Sequence, residues 1–121
     1  WRIAKFIFVS QNKRELDSYG MSSKGPIFFC LKQIYNKLKK ANRLDILKKN
    51  PADKNEKINL EVLMKELVIC GDTSEVIDKV QKLKHDYSNL STLTYVNVDW
   101  KDKKISETSM KLLAEKVIPK V

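Results

Sequence analysis

The chain has 121 residues, of which 42% are apolar and 32% charged. That balance supports a modest packed core and excludes wholesale disorder. The formal net charge is +9, and no apolar run is long enough to span a bilayer.

The first nine residues, Trp1 to Val9, are rich in aromatic and β-branched side chains and read as a strand, not as a signal peptide. No initiator Met precedes them, so the chain is expected to begin inside a longer pattern. Ser10 to Glu15 reads as a strand end entering a short helix, with Asn12 as its N-cap. Gly20 to Pro26 is a loop. Ile27 to Ala41 is a helix, because Ile27, Leu31, Ile34, Leu38 and Ala41 recur at helical spacing. Leu44 to Leu47 adds a short turn, and Asn50 to Lys57 a polar loop around Pro51.

Asn59 caps a helix through about Glu66, with Leu60, Leu63, Met64 and Leu67 on one face. Leu67 to Cys70 is a short apolar run ending at Gly71, which fits a strand buried on both faces. Asp72-Thr73-Ser74-Glu75 opens the next helix with capping chemistry. Thr92 to Val98 is a further strand, Asp99 to Asp102 a turn, and Ile105 to Ile118 a last helix. Strand, helix, strand, helix defines parallel βαβ units. Three strands and about five helices make a small sheet with two edges, so the pattern fits part of a larger α/β fold or a chain that pairs with its own copies.

The charge is unevenly placed. Residues 1–57 hold 14 basic and 5 acidic residues, whereas residues 58–121 hold 10 of each. One reading is an electrostatic footprint for nucleic acid or anionic lipid, centred on Lys32 to Lys49. The other is a solvated helix face. It is favoured because only three of the 24 basic residues are Arg, the residue suited to planar phosphate and base recognition. Cys30 and Cys70 lie in apolar runs forty residues apart and read as reduced fillers, which fits a cytoplasmic home. With one histidine and two cysteines, no zinc ligand set can be assembled. His85 reads as a helix C-terminal cation.

Two strand ends could carry chemistry. Gly71, Asp72 and Thr73 stand where a helix N-terminus favours an anion, or serve as a plain cap. Asn97, Asp99 and Trp100 form either a pocket wall with a ring for stacking or a strand-end turn. Three glycines are too few for a glycine-rich phosphate loop, and no catalytic constellation is present.

The run Leu67-Val68-Ile69-Cys70-Gly71-Asp72-Thr73-Ser74-Glu75-Val76-Ile77-Asp78-Lys79-Val80 resembles the late strand–helix unit of the luciferase-like flavin-dependent monooxygenases. Val98-Asp99-Trp100-Lys101-Asp102 is similar to the segment after their last barrel strand. Ser109-Met110-Lys111-Leu112-Leu113-Ala114-Glu115-Lys116-Val117-Ile118-Pro119 resembles their closing helix, and Trp1 to Val9 the strand before their variable helical insertion.

The resemblance implies the C-terminal portion of a (β/α)8 TIM barrel as a single partial domain. Residues 1–10 would be a strand, 11–66 the helical insertion, and 67–121 the closing strand–helix–strand–helix. It implies reduced FMN as cofactor and a small organic substrate. Gly71, Asp72 and Thr73 would stand near the cofactor, and Asn97, Asp99 and Trp100 near the substrate. In the family, most flavin contacts and the usual catalytic histidine come from earlier strands, so these residues alone are not expected to be catalytic. A stand-alone oligomeric structural domain and a basic-helix binding module are the other readings.

Overall fold

The computed structural model describes residues 2–50 and 52–121. Trp1, expected to start the first strand, and Pro51, expected in the polar loop, lie outside them. In chain order the elements are β1 (Arg2–Val9), α1 (Lys13–Glu15) with a π-turn (Leu16–Gly20), α2 (Pro26–Lys40), a 3-10 turn (Leu44–Leu47), α3 (Leu60–Leu67), β2 (Val68–Gly71), α4 (Thr73–Asp86), β3 (Thr92–Val96) and α5 (Lys103–Leu112). After α5 the chain winds on through a π-turn (Leu113–Val117) and a 3-10 turn (Ile118–Lys120).

The strands form one parallel sheet in the order β2-β1-β3. β1 is central because it is the longest strand and offers each neighbour a different half. Phe6 to Val9 pair with Val68 to Gly71. Arg2 to Phe6 pair with Thr92 to Val96. This diagonal pairing leaves two notches beside β1: a lower one on the β2 side, next to Arg2 to Lys5, and an upper one on the β3 side, next to Ile7 to Val9.

Side chains alternate across a strand, so β1 feeds two cores. Phe6 and Phe8 join Val68 and Cys70 under Tyr19, Ile27, Leu31 and Met64. Ile7 and Val9 join Ile69 under Val76, Val80, Leu113 and Val117. Helices therefore cover both faces: the π-turn, α2 and α3 on one side, α4 and α5 on the other. β2 is buried along its whole length, as its apolar run requires. Leu31 and Val76, at 1% and 0% exposure, anchor the two layers, and burying such a side chain stabilises by about 1.5–3 kcal/mol.

The expected helices form close to their expected bounds. Asn12 accepts from the Arg14 amide, Asn59 from Val62, and Asp72 from Glu75. β3 stops at Val96, two residues short of the β-rich run, because Asn97 turns its side chain back onto the Val98 amide at 2.9 Å. Leu67 ends α3 and does not start β2. Cys70 is buried, but Cys30 is only half-buried. Lys32, Lys37, Lys39 and Lys40 of α2 are exposed. No helix among the described residues is long and apolar enough to cross a membrane.

Candidate functional site at the carboxyl end of the sheet

Ligands of open parallel α/β sheets bind outside the carboxyl ends of the strands. Here that end is built around Ser10, which follows β1 and is buried. Its amide donates to the Gly71 carbonyl at 3.2 Å, its hydroxyl donates to Glu15 Oε2 at 2.6 Å, and it accepts from the Asn12 amide at 3.0 Å. Ser10 thus ties β1 to β2 and to α1.

On the β2 side, Gly71 leads into a complete capping box. Asp72 accepts from the Glu75 amide at 2.9 Å, and Glu75 accepts from the Asp72 amide at 3.0 Å. A Cβ there would stand 2.8 Å from Glu75 Cβ, so a larger residue would displace the box. Thr73 accepts from the Gln11 side chain. An open cleft of about 440 Å³ touches this corner, lined by Lys13, Asp17, Gly71, Asp72, Glu75 and Lys79 among others. Three carboxylates against two ammonium groups make it a poor phosphate site, and the helix dipole is already met by Asp72 and Glu75. The plain-cap reading of Asp72 is the one the geometry carries, and a flavin phosphate does not fit here.

On the β3 side, the upper notch beside β1 is filled by the protein itself. With no β3 residue opposite it, the Val9 amide donates to Ser109 Oγ at 2.9 Å. Ser106 donates to Asn97 Oδ1 at 2.8 Å, and the Asn97 amide group reaches Met110 Sδ at 3.3 Å. Tyr19 stacks on Phe8 with ring centroids 4.8 Å apart, and its hydroxyl donates to the Val98 carbonyl. Burial, then the Asp102 and Asp99 carboxylates, push the Tyr19 phenol upward. Asp102 caps α5 through the Ile105 amide at 3.0 Å. Asp99 is exposed. Trp100, 59% exposed, leans on Phe29 at 5.5 Å, so one side of its ring is held and the rest is open for stacking.

The structure therefore does not bring the two candidate groups together. Gly71, Asp72 and Thr73 lie on one side of the β1 end, and Asn97, Asp99 and Trp100 on the other. Sequence reading missed Tyr19, Ser106 and Ser109. The i, i+3 spacing of the two serines, in register with Leu113, was the available signal that a polar helix face meets the sheet.

Lysine side chains cover carbonyls of β2 and of the end of α3 beside it. Lys79 Nζ donates to the Cys70 carbonyl at 2.5 Å, and Lys5 Nζ to the Glu66 carbonyl in the lower notch. Lys49 pairs with Glu66 at 2.8 Å. Gly20 lies against this strand so tightly that a Cβ would stand 2.1 Å from Cys70 Sγ. Lysines along an edge are a common defence against stray strand pairing. Burial raises the Cys70 thiol to about 11, which makes it an inert filler and not a nucleophile. No cluster of potential metal ligands occurs among the described residues.

No protein-family model matches the chain, and no curated protein matches it. Among solved structures it is similar to the oxygenating constituent of 3,6-diketocamphane monooxygenase from the CAM plasmid of Pseudomonas putida. That protein is a type II Baeyer–Villiger monooxygenase solved in complex with FMN. The TM-score is 0.70 at 20% identity, over 99% of this chain and 33% of that one. The chain thus spans about a third of that protein's length. At this identity the likeness is one of fold. The three-stranded parallel sheet and its helices have the architecture of a partial TIM-barrel-like unit.

Proposed function

We propose that this chain is the C-terminal part of a luciferase-like, FMN-dependent monooxygenase acting on a small organic substrate. The observation that carries the reading is the fold likeness, along nearly the whole chain, to a monooxygenase that binds FMN. Reduced flavin, when bound in such enzymes, supplies the redox chemistry, and the protein binds, orients and shields. The residues here would contribute wall and scaffold. Trp100 offers a ring face, and Asn97 and Asp99 line the same strand end. Gly71, Asp72 and Thr73 hold α4 in place beside the pocket.

The 121 residues alone do not catalyse. The α4 start repels phosphate, and the crevice beside β1 is occupied by Tyr19, Ser106 and Ser109. The test is an assay of the purified chain with NADH, a flavin reductase, FMN and a panel of aldehydes and ketones. The expected result is no oxygenated product above the protein-free control. Reproducible turnover by the 121-residue chain would overturn the reading.

A second reading, a structural domain that associates with its own copies, is favoured by the outer edge of β3, which no other strand pairs among the described residues. It predicts a dimer or larger species in sedimentation at micromolar concentration, and a monomer would contradict it.

A further inference from the structure

Folding gathers lysines that the sequence keeps apart. A groove of about 570 Å³ beside β2 is lined by Lys5 of β1, Lys49 beyond the 3-10 turn, Lys65 of α3, and Lys79 and Lys82 of α4. Glu66 and Asp86 are the carboxylates in its wall, so ammonium groups are in excess by three. The acidic corner at the start of α4 has the opposite balance. None of the five lysines belongs to α2.

Part of this charge serves the fold itself. Lys5 and Lys79 cover the Glu66 and Cys70 carbonyls, and Lys49 pairs with Glu66. An ammonium group carries three donors, so Lys5 and Lys79 are held in place with donors to spare. Lys65 and Lys82 are exposed and enter no ion pair among the described residues. Protection of the sheet edge does not account for these two. Burial first, and the Lys49 charge against the pull of Glu66, hold the Lys5 ammonium below its usual range. An anion in the groove relieves that penalty. Tyr87, half exposed, adds a ring to the wall.

We propose that this groove binds a compact polyanion of linked phosphate groups. Its volume is that of a small-molecule site, and its concave shape does not suit a flat lipid surface. Lysine serves phosphate as a point charge. Ammonium groups spread over β1, α3 and α4 match several linked phosphates better than one. The proposal does not depend on the flavin reading.

Inorganic triphosphate, orthophosphate and ATP are each titrated into the full chain, without magnesium and in about 0.15 M salt, while backbone amide shifts are followed by NMR. Triphosphate is expected to give saturable shifts centred on Lys5, Glu66, Lys79 and Leu83, and to bind about ten-fold tighter than orthophosphate. ATP brings the same phosphates with a base and ribose. Tighter binding than triphosphate, with shifts at Tyr87, identifies a nucleotide as the source; equal or weaker binding identifies a free polyphosphate. The decisive variants remove equal charge. Lys65→Gln/Lys82→Gln, in the groove, is expected to weaken triphosphate binding about ten-fold, and Lys32→Gln/Lys37→Gln, on α2, less than about two-fold. All four lysines are exposed, so neither variant disturbs the core. Absence of saturable shifts at the groove residues overturns the proposal. So does orthophosphate binding as tight as triphosphate, or a groove variant that binds no more weakly than the α2 variant.

Discussion

At the end of β2, the polar residues that follow the strand are consumed by the fold. Asp72 and Glu75 satisfy each other's amides, Thr73 accepts from Gln11, and Lys79 covers the Cys70 carbonyl. Along β3, the opposite holds. Its residues are exposed or half-buried, Trp100 beyond it is open to solvent, and the Tyr95 hydroxyl has nothing to pair with among the described residues. Both strands end in sequence that reads as ligand-binding. Only one of them keeps unspent capacity. A polar strand end is therefore a candidate site only after the local demands of capping and edge protection have been met.

The largest effect that bears on this contrast is expected at Gly20. Gly20→Ala drives a Cβ into Cys70 Sγ on the closed side and should destabilise by about 1–3 kcal/mol. A loss under half a kcal/mol in urea unfolding would mean that the β2 side is looser than described. Next is Asp72→Ala, which removes half of the capping box and should cost about 1 kcal/mol. It also relieves the negative cleft, so any weak inorganic phosphate binding should rise in this variant. Unchanged stability would show that the box is not formed in solution.

The smallest effects sharpen the comparison most. Tyr19→Phe loses the bond to the Val98 carbonyl and should cost about 1 kcal/mol. Tyr95→Phe loses no bond within the protein and should be neutral or slightly stabilising. Equal losses at the two positions would refute the assignment of Tyr95 as unpaired. The alkaline limb separates the sides as well. A group whose pKa is raised on folding contributes stability below its unfolded value and loses it as pH climbs to the folded one. Cys70, raised from 9.0 to about 11, should weaken the fold from pH 9 upward. Tyr95, raised from 10.0 to about 12, should do so only beyond pH 10. Cys70→Ala should flatten the first part of the fall, and Tyr95→Phe part of the second, which the raised Tyr19 phenol shares.

Much of this fold is legible in the residues. Asn12, Asn59 and Asp72 announce their helices because a cap is a local contract between a side chain and an amide two or three residues on. The uniform Val68-Ile69-Cys70 run announces a strand covered on both faces. The strand order is not legible, because it depends on which half of β1 each partner reaches. The same holds for the notches. Ser109 bonding to Val9 spans one hundred residues, and no local period encodes it. The lysines illustrate both cases. Those of α2 read correctly as an exposed face. Lys5 and Lys79 look no different in sequence, yet Lys79 covers a carbonyl of β2 and Lys5 one in the notch beside β1.

On the proposed function, this chain closes the barrel of a longer flavin monooxygenase. The most direct measurement is the coding DNA upstream of the Trp1 codon. The account predicts an open frame of about two hundred codons with alternating strand and helix patterns, enough for the rest of a barrel. A stop codon and a start codon immediately before Trp1 would contradict it and leave the self-associating structural domain as the reading to pursue.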